Sequence, residues 1–338
     1  MIPQEKSAAV TRGLREAFGV TEFEDIQRIT KGQTSSLVFR ILVGGTPFLL
    51  RIIMRADDPT SHFTCMRAAS EAGLAPRVRY ASVEDRLSIT DFVEAVPFPM
   101  AEALVRVPQT LRALHALPPF PARPPHLNTS CTFLLNKGPA LDGFLQRLQA
   151  ANLLPRHESE ELFARYARVA AVYPPDGLDA MSSHNDLFKP DNFLFDGQRV
   201  WLVDWEAAFL NDRYADLAVV ANLVVTNDAE EAIYLQEYFG KPPDEYQLAR
   251  FFLMRQVTHI FYAMAFLFIG SSGKPIDWSE KVPEFKEFHQ RIWAGEVDLA
   301  DSRMKIAYGR VHLERLSQNL PQARFEEALR LVSTLPRS

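Results

Sequence analysis

The order of strand-like and helix-like segments in the first 94 residues most constrains the fold. After a helix-like start at residues 4–18 the period changes, and three segments separated by residues 31–36 and by a Gly-Gly turn are typical of strands. A cluster of aspartate and proline then predicts a helix that ends near Gly73, and two more strand-like segments follow. The five predicted strands are residues 23–29, 37–43, 48–54, 77–82 and 86–92. This order favours a small antiparallel sheet with one helix packed against it.

The rest of the chain is predicted to be mostly helical. Prolines punctuate residues 97–125, and helical periodicity dominates beyond them. The predicted helices are residues 141–151, 158–172, 215–225, 229–238 and 246–269. We therefore predict an α+β protein with two parts, a small domain at residues 1–94 and a larger, mainly helical domain at residues 95–338.

Composition and charge disfavour several classes of function. The formal net charge is −5 and no basic run stands out, so a surface that neutralises nucleic-acid phosphates is not expected. The two cysteines, Cys65 and Cys131, are too few for a disulfide framework and are not spaced as zinc ligands. Residues 260–269, the richest apolar stretch, are too short to span a bilayer, and residues 1–10 lack an export signal. We expect a soluble cytoplasmic protein that acts on a small molecule, with no nucleic-acid or membrane partner.

The segment from Ser182 to Ala218 carries the chemistry. Asp186 and Asn192 precede an apolar run, an Asp-Gly turn and a second apolar run, which together predict a β-hairpin, and Asp204 follows it. Such a hairpin brings oxygen-bearing side chains together at its open end. Phosphoryl transfer from a nucleotide needs a carboxylate to orient the accepting hydroxyl, and oxygen ligands to hold Mg²⁺ against the phosphates. Asp186 suits the first role, and Asn192 and Asp204 suit the second.

Other interpretations of these residues are weaker. A lone aspartate in a loop is usually a turn former, and a lone histidine such as His184 is usually a core residue. A His-x-Asp pair also occurs in metallohydrolases, but no further histidines are grouped nearby in the sequence. The chain also has no Gly-x-Ser-x-Gly, His-Glu-x-x-His or Cys-x-x-Cys motif. The ordered set around one hairpin therefore favours phosphoryl transfer.

This pattern resembles a known family. His184-Asn185-Asp186-Leu187, followed by Asp204-Trp205-Glu206, is similar to the catalytic loop and metal-binding aspartate of the protein-kinase-like superfamily. It is closest to the choline/ethanolamine kinase and aminoglycoside phosphotransferase branch. The resemblance covers most of the chain and implies a two-lobed fold, with a five-stranded antiparallel sheet and a helix in the small lobe. It also implies a kinase that uses ATP and Mg²⁺, with Asp186 as the catalytic residue.

The resemblance further implies residues that bind the nucleotide or brace the loop. The turn expected to cover the phosphates contains Gly32, Gln33, Thr34 and Ser35. Arg51 on the third strand would contact the phosphates, since choline-kinase-like members also carry arginine there. Asp91 and Val93 would belong to the hinge that holds the adenine ring. His184 would brace the catalytic loop, and Asp216 would tie that loop to a helix.

Two features depart from the family pattern. Six positions separate Asp186 from Asn192 where the family usually has five, so either the loop is one residue longer or Asp191 takes the ligand role. We favour Asn192 because it directly precedes a strand. The small-lobe helix has no acidic residue between Ser61 and Ala69, so we expect Arg51 to contact phosphate without a fixed partner. Slow or specialised turnover, or a degenerate and non-catalytic nucleotide-binding protein, stays open.

The acceptor is less closely defined. Choline kinases hold a quaternary ammonium against aromatic faces, and the matching helix here offers Tyr262, but Ala265 at the second aromatic position. If residues 204–206 are extended, Glu206 points to the same side as Asp204 and could support a second Mg²⁺ or meet a cationic substrate. We expect a choline or ethanolamine kinase first, and a kinase for an aminoglycoside, thiamine or sugar as the alternative. The sequence does not indicate an oligomeric state.

Overall fold

The computed structural model describes residues 2–29, 36–122, 150–151, 153–154, 156–173 and 179–334. Within these ranges the chain forms a small lobe, built on one sheet and two helices, and a mainly helical large lobe. The predicted phosphate-covering residues lie outside the described residues, as does nearly all of the predicted helix at residues 141–151. The α+β class, with a five-stranded antiparallel sheet in the small lobe and a mainly helical large lobe, is confirmed, whereas the boundary between residues 94 and 95 stays a prediction.

The small-lobe sheet has five antiparallel strands in the order β1-β2-β3-β5-β4. Their bounds are β1 Asp25–Ile29, β2 Ser36–Val43, β3 Thr46–Ile53, β4 Val78–Ser82 and β5 Leu87–Asp91. Alternation along β3 sends Leu50 and Ile52 into an apolar cluster with helix α1 (Ser7–Phe18). Leu49 and Arg51 consequently face the other side of the sheet, where they line a cavity.

Helix α2 (Thr60–Glu71) joins the two lobes. It begins where the Asp58 carboxylate accepts the backbone N–H of Thr60 at 3.0 Å, a local cap for an otherwise unpaired donor. Its buried face, which includes Cys65 and Met66, belongs to the same apolar core as the large lobe. The position of α2 is therefore set by the large lobe as well as by the sheet.

Eight described helices build the large lobe. They are α3 Met100–His115, α4 Arg156–Val172, α5 Arg213–Val224, α6 Asp228–Phe239, α7 Glu245–Ser271, α8 Phe285–Trp293, α9 Ser302–Asn319 and α10 Ala323–Thr334. Helix α7 is the centre of this lobe, since it packs against α5, α9 and α10. Helices α3, α8, α9 and α10 were not predicted individually.

Helix α7 extends well beyond the apolar stretch at residues 260–269. The helix has 27 residues and, by length and composition alone, could cross a membrane, whereas only residues 260–269 were considered above. Most of its side chains are buried among the neighbouring helices. Burial on nearly every side is typical of the central helix of a helical core.

Two short strand pairs position the site. Strand β6 (Ala180–Ser183) pairs with β9 (Phe209–Asp212), and β7 (Phe193–Phe195) pairs with β8 (Val200–Leu202) as the predicted hairpin. Gly197 at the hairpin turn has a φ of +93°, which glycine adopts without steric strain. The loop between β6 and β7 and the loop between β8 and β9 therefore lie side by side.

Candidate active site

The backbone of the loop between β6 and β7 is held by the buried carboxylate of Asp216. Asp216 on α5 accepts the backbone N–H groups of His184 and Asn185, both at 2.8 Å, and its Oδ2 lies 3.3 Å from Nε2 of His115. Burial alone would raise the pKa of Asp216, but the hydrogen bonds and the neighbouring histidines outweigh it and lower that pKa. The contact between loop and helix thus has the geometry that the resemblance implies for Asp216.

The ring of His184 is fully buried under the loop. Its Nε2 lies 2.9 Å from the carbonyl oxygen of Val203, and its ring packs on Trp205 with centroids 4.8 Å apart. Both of these neighbours flank Asp204. His184 therefore braces the two chemistry-bearing loops against each other, a position that suits support rather than proton transfer.

The three oxygen-bearing side chains predicted to converge lie close together. The Asn192 amide nitrogen is 3.1 Å from Oδ2 of Asp186 and 2.5 Å from its carbonyl oxygen. Lys189 links the set, because its Nζ lies 3.2 Å from Oδ2 of Asp186 and 3.7 Å from Oδ2 of Asp204. Asn192 is buried, whereas Asp191 beside it is exposed.

Sequence reasoning missed Lys189. The available signal was the six-residue spacing between Asp186 and Asn192, which we interpreted only as a longer loop. In the structure Phe188 packs on the buried rings of Tyr262 and Phe266, with ring centroids 5.6 and 5.7 Å away. Nζ of Lys189 lies between the carboxylates of Asp186 and Asp204. The longer loop thus combines an aromatic anchor with a cation at the site.

The electrostatics distinguish the two aspartates. Burial raises the pKa of Asp186, against the opposing effect of Lys189. Burial also acts on Asp204, but Arg51 and Lys189 outweigh it and hold the pKa of that carboxyl well below its usual range. Asp204 is therefore the firmly ionised member of the pair, while Asp186 accepts a proton more readily than a free aspartate.

Arg51 has a fixed partner, which corrects the expectation stated above. Its Nη1 lies 2.7 Å from Oδ1 of Asp204 across the cleft between the lobes. Helix α2 presents His62 towards this pair instead of an acid, and burial together with the charge of Arg51 lowers the pKa of His62 to about 3. The partner that the helix lacks is supplied by the large lobe, 153 positions along the chain.

Glu206 reaches the site by a different route from the one predicted. The backbone at Asp204 is left-handed, with a φ of +71°, and residues 205–207 form a short 3₁₀ helix rather than an extended segment. The prediction that residues 204–206 are extended, on which the placement of Glu206 beside Asp204 depended, is therefore wrong. Its Oε2 nevertheless lies 3.0 Å from Nη2 of Arg55, and burial and the charge of Asp204 raise the pKa of Glu206.

A cavity of about 450 Å³ lies between the sheet and these loops. Its lining combines apolar and polar side chains. The apolar ones include Val38, Leu49 and Leu194, and the polar or charged ones include Arg51, Lys189, Asn192 and Asp204. Asp91 and Val93 lie on the cavity wall, at and just beyond the end of β5. The Asp91 carboxylate is held by Arg79 at 2.6 Å, and its backbone N–H donates to the carbonyl oxygen of Arg77 at 2.9 Å.

Tyr262 lies behind the site instead of on its surface. The side chain is buried, and its ring contacts Phe188, Phe266 and Tyr308 with centroids 5.6 to 6.0 Å apart. Its nearest link to the chemistry is Phe188, which precedes Lys189. The predicted role of Tyr262 in substrate binding stays a prediction.

The donor set fits Mg²⁺ only as part of a larger complex. Within the described ranges, no three His, Cys, Asp or Glu side chains are grouped closely enough to hold a metal ion by themselves. Asp204 and Asn192 offer one carboxylate and one amide, both hard oxygen donors. Mg²⁺ is commonly held by one or two carboxylates together with substrate phosphates and water. The residues present therefore fit a cation that arrives with a polyphosphate.

Comparison with solved structures identifies the fold. A choline/ethanolamine kinase family protein from Mesorhizobium loti matches with a TM-score of 0.68 at 20% identity, covering 98% of this chain and 100% of that one. Choline kinase LicA from Streptococcus pneumoniae matches with a TM-score of 0.56 at 15% identity, covering 88% and 99%. A streptomycin–ATP–APH(2")-IIa ternary complex matches with a TM-score of 0.54 at 14% identity, covering 79% and 91%.

Sequence comparison supports the same assignment at the level of the family. No curated protein sequence matches the chain significantly. The family model described as the phosphotransferase enzyme family, APH, matches residues 25–252, more than half of the chain. That range includes β1 to β9 and both loops that carry the charged cluster. The chain thus belongs to the APH phosphotransferase family, whose members transfer a phosphoryl group to a hydroxyl.

Proposed function

We propose that the protein is an ATP- and Mg²⁺-dependent kinase that transfers the γ-phosphoryl group to a hydroxyl of a small amino alcohol of the choline or ethanolamine type. The observation that carries the proposal is that Asn192 and Asp204 line the cavity between the lobes, while Asp186 contacts Asn192 and is linked to Asp204 through Lys189. Phosphoryl transfer depends mainly on positioning and on charge stabilisation, and this cluster offers both.

The cavity lining suits a nucleotide. Val38, Leu49 and Leu194 offer apolar surface for the flat face of a base. Asp91 and Val93 would hold the base edge through their backbone. Arg51 would exchange its present partner Asp204 for the phosphates, and the turn at residues 31–35, outside the described residues, would cover them.

Asn192 and Asp204 would hold Mg²⁺, which supplies charge neutralisation on the phosphates when bound. The low pKa of Asp204 keeps this ligand ionised at neutral pH. Once Arg51 turns to the phosphates, Oδ1 of Asp204 would be open to the metal ion, with Lys189 still beside Oδ2.

Asp186 would align the acceptor hydroxyl and take its proton late in the transfer. The acceptor oxygen forms the new bond to the γ-phosphorus, the bond from that phosphorus to the β–γ bridging oxygen breaks, and ADP leaves with the electron pair. Lys189 would stay beside Asp186 and stabilise the negative charge on the transferring group. His184 and Asp216 hold the loop in place throughout.

The preference for an amino alcohol rests on the aromatic and acidic groups near Asp186. Phe188 would present its ring to a cationic headgroup, with Tyr262 and Phe266 supporting that ring from behind. Glu206, held by Arg55, would add negative charge near Asp204 and Asp186. Both features favour a cation over a neutral sugar.

The test is ADP release from Mg-ATP with a panel of choline, ethanolamine, thiamine, aminoglycosides and sugars, run with wild type and Asp186→Asn. We expect acceptor-dependent ADP release with an amino alcohol, lost in Asp186→Asn. Release with another acceptor would change the substrate and keep the kinase. No release with any acceptor, together with no stabilisation of the fold by Mg-ATP, would overturn the proposal.

A second candidate is a kinase for an aminoglycoside. The similarity to the streptomycin–ATP–APH(2")-IIa complex favours it, although at 14% identity that likeness supports the fold alone. The same panel separates the two. A non-catalytic nucleotide-binding protein would bind ATP but release ADP equally slowly in wild type and in Asp186→Asn.

A further inference from the structure

Asn185, which precedes Asp186, has an unusual backbone. Its φ is +66°, a left-handed conformation that glycine adopts easily and most other residues avoid. Its N–H donates to Oδ1 of Asp216 at 2.8 Å, which fixes the peptide in this conformation. If a left-handed turn were the only requirement at this position, glycine would satisfy it with less strain.

The side chain of Asn185 makes contacts that glycine could not. Its Nδ2 lies 3.3 Å from the carbonyl oxygen of Ser183, 3.1 Å from that of Ala207 and 3.3 Å from that of Phe209. Its Oδ1 accepts the Nδ2 group of Asn211 at 2.6 Å. One amide therefore ties the chain just before Asp186 to the chain just after Asp204.

The side-chain contacts of Asn185 lie between the loop that carries Asp186 and the loop that carries Asp204. Nζ of Lys189 lies near Oδ2 of both Asp186 and Asp204, yet the two carboxylates repel each other, and the charge of Asp204 raises the pKa of Asp186. Asp204 itself has a left-handed backbone, with a φ of +71°. Each loop thus has a left-handed residue at its functional end, and the Asn185 side chain connects the two ends.

We infer that Asn185 is a positioning residue, which sets the separation of Asp186 from Asp204 through its side-chain amide. The inference rests on the proposed function, since the separation matters only where a metal nucleotide lies between the two loops. Loss of the amide lets the loops drift apart while the backbone contact with Asp216 is kept. The expected defect lies in metal-assisted turnover rather than in nucleotide affinity alone.

The test compares Asn185→Gly with Asn185→Asp. Glycine removes the steric strain of the left-handed backbone but also removes the side-chain amide. Aspartate keeps the size of the side chain and the acceptor for Asn211, but it has no N–H to donate to the carbonyl oxygens of Ser183, Ala207 and Phe209. Both variants should lose about 100-fold in kcat, the loss expected for a displacement near 1 Å. Both should also need more Mg²⁺ for half-maximal rate, with the KM for the acceptor nearly unchanged.

A second measurement needs no acceptor. The rise in melting temperature given by a non-hydrolysable ATP analogue should depend on Mg²⁺ in wild type, and should lose that dependence in Asn185→Gly. Asn211→Ser, which removes the donor to Oδ1 of Asn185, should show a smaller loss of the same kind. Asn319→Ala, which removes a buried amide contact with Gln256 on the far side of the lobe, is the matched control and should change neither kcat nor the Mg²⁺ dependence.

The outcomes separate the two claims. Equal kcat and equal Mg²⁺ dependence in wild type and Asn185→Gly would overturn the positioning role and leave the kinase intact. No Mg²⁺-dependent stabilisation of wild type by the ATP analogue would overturn the proposed function, and the positioning role with it.

Discussion

The large lobe contains two sets of carboxylates whose partners differ in kind. At the site, Asp186, Asp204 and Glu206 pair with Lys189, Arg51 and Arg55, and these cations retain 14 to 38% of their side-chain surface. In the scaffold, Asp212 pairs with Arg250 and Glu231 pairs with Arg255, and all four side chains are at most 9% exposed. Site cations can therefore leave their partners, whereas scaffold cations cannot.

The scaffold pairs also have more partners. Arg250 lies between Asp212 and Asp179, at 2.8 Å from each, and its guanidinium packs on the rings of Tyr173 and Tyr214. Such enclosure makes the ion pair costly to break, because each remaining charge would stay buried without compensation. At the site, a phosphate or a metal ion could replace each partner. Charge pairing alone therefore does not distinguish the two sets, whereas access to the cavity separates Arg51, Lys189 and Asp204 from the scaffold pairs.

The largest expected effect is the loss of activity in Asp186→Asn. Removing a general base costs about 10²- to 10⁴-fold in rate, and we expect kcat to fall by that range. Because burial raises the pKa of Asp186, the neutral amide should leave the folded state at least as stable as wild type at pH 7. Steady-state kinetics and a denaturant titration check both. Loss of activity accompanied by unfolding would place Asp186 in the scaffold group.

The next effect is on stability. Arg250→Met leaves Asp212 without its cation and Asp179 with Arg213 alone, and breaking a buried pair in this way costs about 3–5 kcal/mol. Arg55→Met at the site should change the free energy of unfolding by less than about 1 kcal/mol, because that pair is partly exposed. Urea unfolding of both variants measures the contrast. Equal losses would remove the distinction between the two groups.

A smaller effect is expected for Lys189→Met. Loss of one preorganised cation near the transferring phosphoryl group should lower kcat by about 100-fold, with little change in the KM for ATP. Lys189 lowers the pKa of Asp186, so its removal raises that pKa and shifts the acid limb of kcat/KM to higher pH. A pH profile of both enzymes tests the shift. An unchanged profile would mean that Lys189 is not coupled to Asp186 during turnover.

The smallest effect is the pH dependence of stability. The pKa of Asp216 is lowered by folding, so its contribution is present above the ordinary carboxylate range and is lost as pH falls through the folded value. The pKa of Asp186 is raised, so its ionisation destabilises the fold as pH rises through that value. Unfolding free energies of Asp216→Asn and Asp186→Asn, relative to wild type, should therefore have opposite signs at pH 7. Both differences should shrink on acidification, and equal signs at pH 7 would contradict the assignment.

Much of the small lobe could be predicted because its strands are short segments separated by clear turn and helix-start signals. Each of the five predicted strands lies within two residues of the observed one, and the hairpin before Asp204 was predicted from its Asp-Gly turn. Helix α9 was missed because its pattern is mixed, and its burial comes from α7, a tertiary neighbour. The cytoplasmic location also stays a prediction.

The site residues could be nominated from the sequence, but their partners could not. The pairing of Arg51 with Asp204 depends on how the lobes meet, which local periodicity does not encode. The left-handed backbone of Asp204 likewise depends on neighbouring elements, so the assumption of an extended segment placed Glu206 wrongly. Lys189 was missed because a single lysine in a loop carries no pattern of its own.

In the proposed function, the cavity between the lobes binds a metal nucleotide through Asp204. Calorimetry of a non-hydrolysable ATP analogue, with and without Mg²⁺, tests it most directly in wild type and in Asp204→Asn. We expect Mg²⁺ to tighten binding about 10-fold or more in wild type, as expected when a carboxylate ligates the metal, and to have no effect in Asp204→Asn. Equal tightening in both proteins, or none in wild type, would contradict the account.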